Sequence, residues 1–204
     1  IEEVLEFVDN FSFPNNFSIA NSDIPKQIIL SSTEQRDGLE QANLAMGIHF
    51  PFASSKKRFA AQIFNAIFGD GMSSKLFLEV REKRGLVYAI KSDLDFGKNY
   101  GYLIVYGGMD KKNVDEVIKI VTQEFNKMKD ITKEELEEAK IQVIGNNLVS
   151  KEGSEEGVLS LVLEELFGRA EEYYDFENKI NAVSLEDIKL LTKDAKFATF
   201  VLSP

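Results

Sequence analysis

The amino-acid sequence predicts an α+β fold, a largely antiparallel sheet covered by helices, and three observations carry that prediction. The apolar period changes along the chain in the order strand, strand, helix, helix, strand, strand, several helices, strand. Helices are therefore segregated from hairpins and do not alternate with strands one for one, which argues against a doubly wound sheet. The length, 204 residues, suits one sizeable core and is cramped for two full domains.

The elements follow in chain order. The start, IEEVLEFVDNF, places Val4, Leu5, Phe7 and Val8 among acids as an amphipathic helix does, and the segment from Phe11 to Pro25 reads as a linker with prolines, asparagines and no sustained period. The folded domain is expected to start after this linker. Lys26 to Ser32 and Gln41 to Phe50 read as strands around a polar turn, TEQRDG, and the second has so little strongly polar content that it should be central. Ser54 or Ser55 can cap a helix in which Phe59, Ala60, Ile63, Phe64, Ile67 and Phe68 keep helical spacing up to Gly69. A second helix is expected from about Met72 to Arg84, ended by Gly85.

Leu86 to Leu94 and Tyr100 to Gly107 form a hairpin through the turn FGKN. Asp110 is placed to cap a helix over Lys111 to Lys129, whose buried stripe is Val114, Val117, Ile118, Val121, Phe125 and Met128. Thr132 and Glu135 make a capping box for a helix to about Val149, a glycine-punctuated segment leads to a helix ending at Phe167, and Ser184 with Asp187 opens the last one. FATFVL closes the order as a strand.

Composition narrows the function. With 34 Asp and Glu against 24 Lys and Arg the net charge is −10, so the surface repels a phosphate backbone and no nucleic-acid partner is expected. Without cysteine there is neither a disulfide framework nor a thiolate metal site, and a cytoplasmic address fits. No apolar run approaches the roughly 18 to 20 residues of a bilayer span, so no membrane partner is expected.

Few residues offer chemistry. His49 is the only histidine; in a strand it reads as structural, and a catalytic role would need an orienting carboxylate that sequence cannot place. The runs of glutamate read as solvated helix faces. Gly69 to Lys75, GDGMSSK, precedes a helix but departs from the phosphate-loop pattern, so it reads as a tight turn. In Arg81 to Tyr88, REKRGLVY, a helix ending accounts for Lys83, Arg84 and Gly85, because cations favour a helix C-terminus and glycine takes the left-handed residue after it. Arg81 and Tyr88 are not needed for that. A guanidinium and a phenol brought together there would make two donors for a carbonyl or a developing oxyanion.

The stretch NAIFGDGMSSKLFLEVREKRGLVYAI closely resembles the insulinase, pitrilysin and mitochondrial processing peptidase family, specifically its C-terminal-type domain. The resemblance extends over about residues 26 to 204, the C-terminal-type domain, and implies that residues 1–25 are the last helix of a preceding domain plus the interdomain linker. It implies a zinc metallopeptidase of two similar halves facing one another around a chamber, of which this α+β domain is one half. In that family one half carries His-x-x-Glu-His and a distal Glu, and the other supplies an Arg and a Tyr seven positions apart. Arg81 and Tyr88 keep that spacing. Their implied role is to hold a peptide carbonyl and stabilise the tetrahedral intermediate beside a zinc-bound water.

With one histidine this chain cannot present His-x-x-Glu-His. The resemblance therefore implies zinc in the complete enzyme, bound by the other half, and no metal ligand here. The expected partners are a zinc-bearing N-terminal half, in the same polypeptide or a partner subunit, and a short or unfolded peptide bound in extended form. Alone, the chain is expected to be inactive. Two alternatives stay open: a non-catalytic structural or partner subunit of the same family, and a free-standing binding module.

Overall fold

The structure, a computed structural model, describes residues 30–168, 170–193 and 196–204. The expected helix and linker over 1–25, and the first four residues of the strand expected over 26–32, lie outside the described residues.

Five strands form one sheet: β1 (Ser31–Gln35), β2 (Ala42–His49), β3 (Val87–Phe96), β4 (Gly101–Met109) and β5 (Ala198–Ser203). Their order is β1-β5-β2-β4-β3. Every pairing is antiparallel except β1 with β5, so the predicted α+β class with a largely antiparallel sheet is what the chain forms. β2 is central, as its composition required. Ala42, Leu44, Met46 and Ile48 are buried on one face of it, the period-two signature of a sheet with one covered side. On the other face Asn43, His49, Tyr106 and Phe200 are exposed. β1 runs on through Thr33 to Gln35, residues that read as turn, because each pairs with β5; the turn itself is at Asp37 and Gly38.

The helices are α1 (Arg58–Phe68), α2 (Val114–Lys127), α3 (Lys133–Ser150), α4 (Ser154–Phe167), α5 (Phe176–Asn181) and α6 (Leu185–Leu191). All of α1 except Gln62 is buried. It packs against β3, α3, α5 and α6, so neighbours cover more than the one face its spacing suggested. Phe64 and Phe68 stand 5.1 Å and 5.5 Å from Phe125 of α2, which also meets Phe197 edge-on at 5.1 Å. Each such fully buried aromatic contributes about 2 to 3 kcal/mol relative to exposure, and this aromatic group is the centre of the core. At the end of α1 a Cβ on Gly69 would lie 2.3 Å from Ser92 Oγ, so only glycine lets the helix end touch β3. Ser92 in turn donates to Asn65 Oδ1 at 2.6 Å.

Both capping boxes form: Thr132 with Glu135, and Ser184 with Asp187. The other expected caps do not. α1 starts after Lys57 with no side-chain cap; Ser55 Oγ accepts from the Lys57 amide in the turn before it, and Ser54 Oγ donates to the Lys98 carbonyl. α5 was not expected, since six residues carry too little period to see. Among the described residues no helix is long and apolar enough to cross a membrane.

Candidate functional site

The segment read as a helix from Met72 to Arg84 is a turn followed by a widened helix. Gly71 adopts φ +94°, and Ser74 closes the turn by donating its hydroxyl to the Gly71 carbonyl at 2.7 Å, as the tight-turn reading of GDGMSSK required. From Phe77 to Glu82 the backbone is a π-helix, a form that recurs at functional sites. Its bond from the Lys83 amide to the Leu78 carbonyl, 2.9 Å, spans five residues.

The end of this helix is held by a local network. Glu79 pairs with Lys83 and, at 2.6 Å, with Arg84; Arg84 also donates to the Glu79 carbonyl at 2.8 Å. The Lys83 and Arg84 hydrogen bonds lower the Glu79 carboxyl from 4.5 to about 2, burial opposing them weakly. Gly85 follows at φ +62°, where its amide reaches the Arg81 carbonyl at 2.9 Å and the Leu86 amide reaches the Val80 carbonyl at 3.1 Å. Lys83, Arg84 and Gly85 thus end the helix, as local physics required.

Arg81 and Tyr88 lie on either side of that ending, and both are exposed. The Arg81 guanidinium stands 5.0 Å from the Phe77 ring centroid and forms no ion pair among the described residues. Tyr88 sits on a β-bulge: Val87 pairs with Met109 and Ala89 with Gly108, so Tyr88 has no cross-strand partner. The burial sequence over Val87, Tyr88, Ala89 and Ile90 is buried, exposed, exposed, buried. Strict alternation would have faced Tyr88 and Ala89 oppositely; the bulge turns both to solvent, a device common beside functional sites. The two side chains do not bond each other.

The Tyr88 hydroxyl donates to Asp110 Oδ1 at 2.5 Å. That bond, with smaller contributions from burial and the Asp110 charge, raises the phenol pKa above its ordinary value of 10.0. Asp110 was expected to cap the next helix, and its backbone, φ −64° and ψ 141°, has the extended cap geometry. Its carboxylate nonetheless makes no cap bond, which forgoes about 1 kcal/mol of helix stability. The first turn is instead a 3₁₀ segment, Lys111–Asn113, before α2. The contact between Asp110 and Tyr88 exists only once β3 and β4 pair, whereas the cap position is a local feature of the chain.

His49 lies exposed at the end of β2, opposite Tyr102, and no three His, Cys, Asp or Glu side chains among the described residues converge on a possible metal position. Zinc therefore does not fit these residues. A cleft of about 530 Å³ opens elsewhere, between α1, α3 and α4, where Lys151 lies 3.9 Å over the Tyr173 ring and burial lowers its pKa. Neither Arg81 nor Tyr88 lines it.

Fold and site together define a helix-covered antiparallel sheet domain that presents an arginine and a bulged tyrosine. Residues 1–143 match the family described as Peptidase M16 inactive domain, and the chain belongs to that family. It is 29% identical over 173 residues to an uncharacterized zinc protease of Bacillus subtilis, YmxG, covering 81% of this chain and 42% of that protein. It is equally 29% identical over 168 residues to a probable inactive metalloprotease of the same organism, YmfF, covering 80% of this chain and 38% of that one. The chain thus spans less than half the length of these relatives. Among solved structures, the peptidase M16 inactive domain from Pseudomonas fluorescens superposes with a TM-score of 0.77 at 20% identity, over 89% of this chain and 45% of that one, a likeness of fold.

Proposed function

We propose that this domain supplies Arg81 and Tyr88 to the substrate of a zinc metallopeptidase, opposite a zinc-bearing half that lies outside these 204 residues. The observation that carries the reading is the bulge, which sets Tyr88 free of the strand ladder and turns it to solvent seven positions after an arginine with no ion pair among the described residues. The guanidinium is always charged and presents several donors in a fixed plane, which suits anchoring a peptide carbonyl. The phenol adds one O–H donor. When the carbonyl carbon becomes tetrahedral its oxygen gains negative charge, and both donors bind that oxygen more strongly than the neutral one. β3 is an edge strand, whose unpaired backbone groups support binding of an extended peptide by strand addition. The acidic, cysteine-free composition supports a cytoplasmic setting without nucleic-acid or membrane partners.

The test is turnover by the full-length protein, or by the chain reconstituted with its complementary half. Arg81→Ala and Tyr88→Phe are each expected to lower turnover about 10²- to 10³-fold while zinc content and melting temperature stay put. Undiminished turnover in both variants overturns the reading. A second reading, a non-catalytic partner subunit, is favoured by the likeness to a relative named a probable inactive metalloprotease. It predicts that the complementary half lacks His-x-x-Glu-His and that no peptide is cut.

A further inference from the structure

We infer that Asp110 is a positioning residue for this chemistry: it holds the single Tyr88 proton while the substrate carbonyl is neutral and yields it to that oxygen as it becomes charged. The inference rests on the reading of Tyr88 as a donor to substrate, and three features of the structure carry it further. The phenol donates to Asp110 Oδ1 at 2.5 Å, and a tyrosine has only one proton to donate. Asp110 occupies a helix-cap position in cap geometry without capping, so its carboxylate serves Tyr88 and not the helix. Because the bulge leaves Tyr88 unpaired across the ladder, the ring's fixed post is Asp110, which directly follows Met109, the partner of Val87.

The Lys112 amine stands 3.8 Å from Asp110 Oδ2, on the oxygen away from Tyr88, and Lys111 is engaged with the Pro204 carbonyl at 2.9 Å. The competition for the proton is then simple. A carboxylate is an ionised acceptor and a peptide carbonyl is not, so Asp110 keeps the proton in the bound ground state. An oxyanion is also ionised, and rotation about the phenol C–O bond delivers the proton to it. A hydrogen bond that exists only with the charged oxygen contributes to rate and not to substrate binding. The raised phenol pKa acts in the same direction, since it keeps Tyr88 protonated and able to donate.

The experiment compares steady-state kinetics of the intact or reconstituted enzyme with Asp110→Asn, Asp110→Ser and both changes in a Tyr88→Phe background. Asp110→Asn removes the charge at constant shape and leaves a neutral amide oxygen, which no longer outcompetes the neutral carbonyl for the proton. KM is expected to fall about fivefold, the value of one ordinary hydrogen bond, and kcat to fall by a similar factor. Serine caps helices as well as aspartate does, so a merely structural role predicts that Asp110→Ser is silent, whereas the positioning role predicts the same drop in KM. In the Tyr88→Phe background neither change should move KM. A readout independent of activity is the absorbance titration of the phenol, taken as the difference between proteins with and without Tyr88; its midpoint should move down in Asp110→Asn. An unchanged KM, or an equal drop in the Tyr88→Phe background, overturns the inference. If Tyr88→Phe itself leaves turnover intact, the reading of Tyr88 as a donor to substrate fails and Asp110 falls with it; if it lowers turnover while Asp110→Asn leaves KM unchanged, only the role of Asp110 fails.

Discussion

Arg84 and Arg81 stand three residues apart at one helix end, and their surroundings differ completely. Arg84 is bound twice, to the Glu79 carboxylate and to the Glu79 carbonyl, inside a network that Lys83 and Gly85 complete. Arg81 rests on the Phe77 ring. The same contrast runs across the strand: Val87 is paired and buried, whereas Tyr88 beside it is out of register and exposed. Residue type and helix position are alike for the two arginines, so role is decided by which partners the fold has already committed.

The contrast can be broken from either side. The largest effect belongs to the open side: Tyr88→Phe should cost about 10²- to 10³-fold in turnover with the melting temperature unmoved, whereas Arg84→Ala should leave turnover within a few-fold. Turnover measured in parallel on both variants separates the two regions. Next comes Gly85→Ala, which forces a Cβ into the left-handed region at φ +62° and should cost about 1 to 2 kcal/mol, read as a fall of several degrees in a thermal melt. Arg84→Ala should cost less, about 1 kcal/mol or below, because the pair is substantially exposed to solvent.

The subtlest effect is on pH dependence. The folded Glu79 carboxyl titrates at about 2, below its ordinary 4.5, so its stabilisation is fully present above pH 4.5 and is lost as pH falls towards 2. Glu79→Gln should therefore flatten the stability curve in that window, as denaturant titrations at stepped pH would record. A curve as steep as the wild type would show that the closed network is not held by this carboxylate.

Much of the fold was legible because its signals are local. Phe59 to Phe68 keeps helical spacing, the boxes at Thr132 and Ser184 mark where helices begin, and Gly85 marks an end; each depends on residues within one turn. The remainder depended on pairing between distant segments. Thr33 to Gln35 is strand only because β5 arrives beside it, and the Tyr88 bulge exists only relative to Met109 and Gly108. Asp110 shows the limit most plainly, since the residue type that predicts a cap is also the one best able to hold a phenol from another strand. For the site, local physics assigns Arg84, next to Gly85, to the helix ending and leaves Arg81 and Tyr88 without a role; only the resemblance to a family singles those two out, because no residue within one turn shows what they would bind.

The position of β5 has a consequence for how the chain assembles. β5 lies between β1 and β2, although its residues come after every helix. While the chain is being synthesised, β2, β4 and β3 can pair and collect helices, but β1 has no neighbour and β2 shows a bare edge until Ala198 to Ser203 emerge. Closing that seam brings together segments separated by almost the whole described chain, the kind of contact that slows folding most. The unfilled slot is also an open template for a strand of another nascent chain, so the interval before β5 inserts is when this domain is most exposed to aggregation.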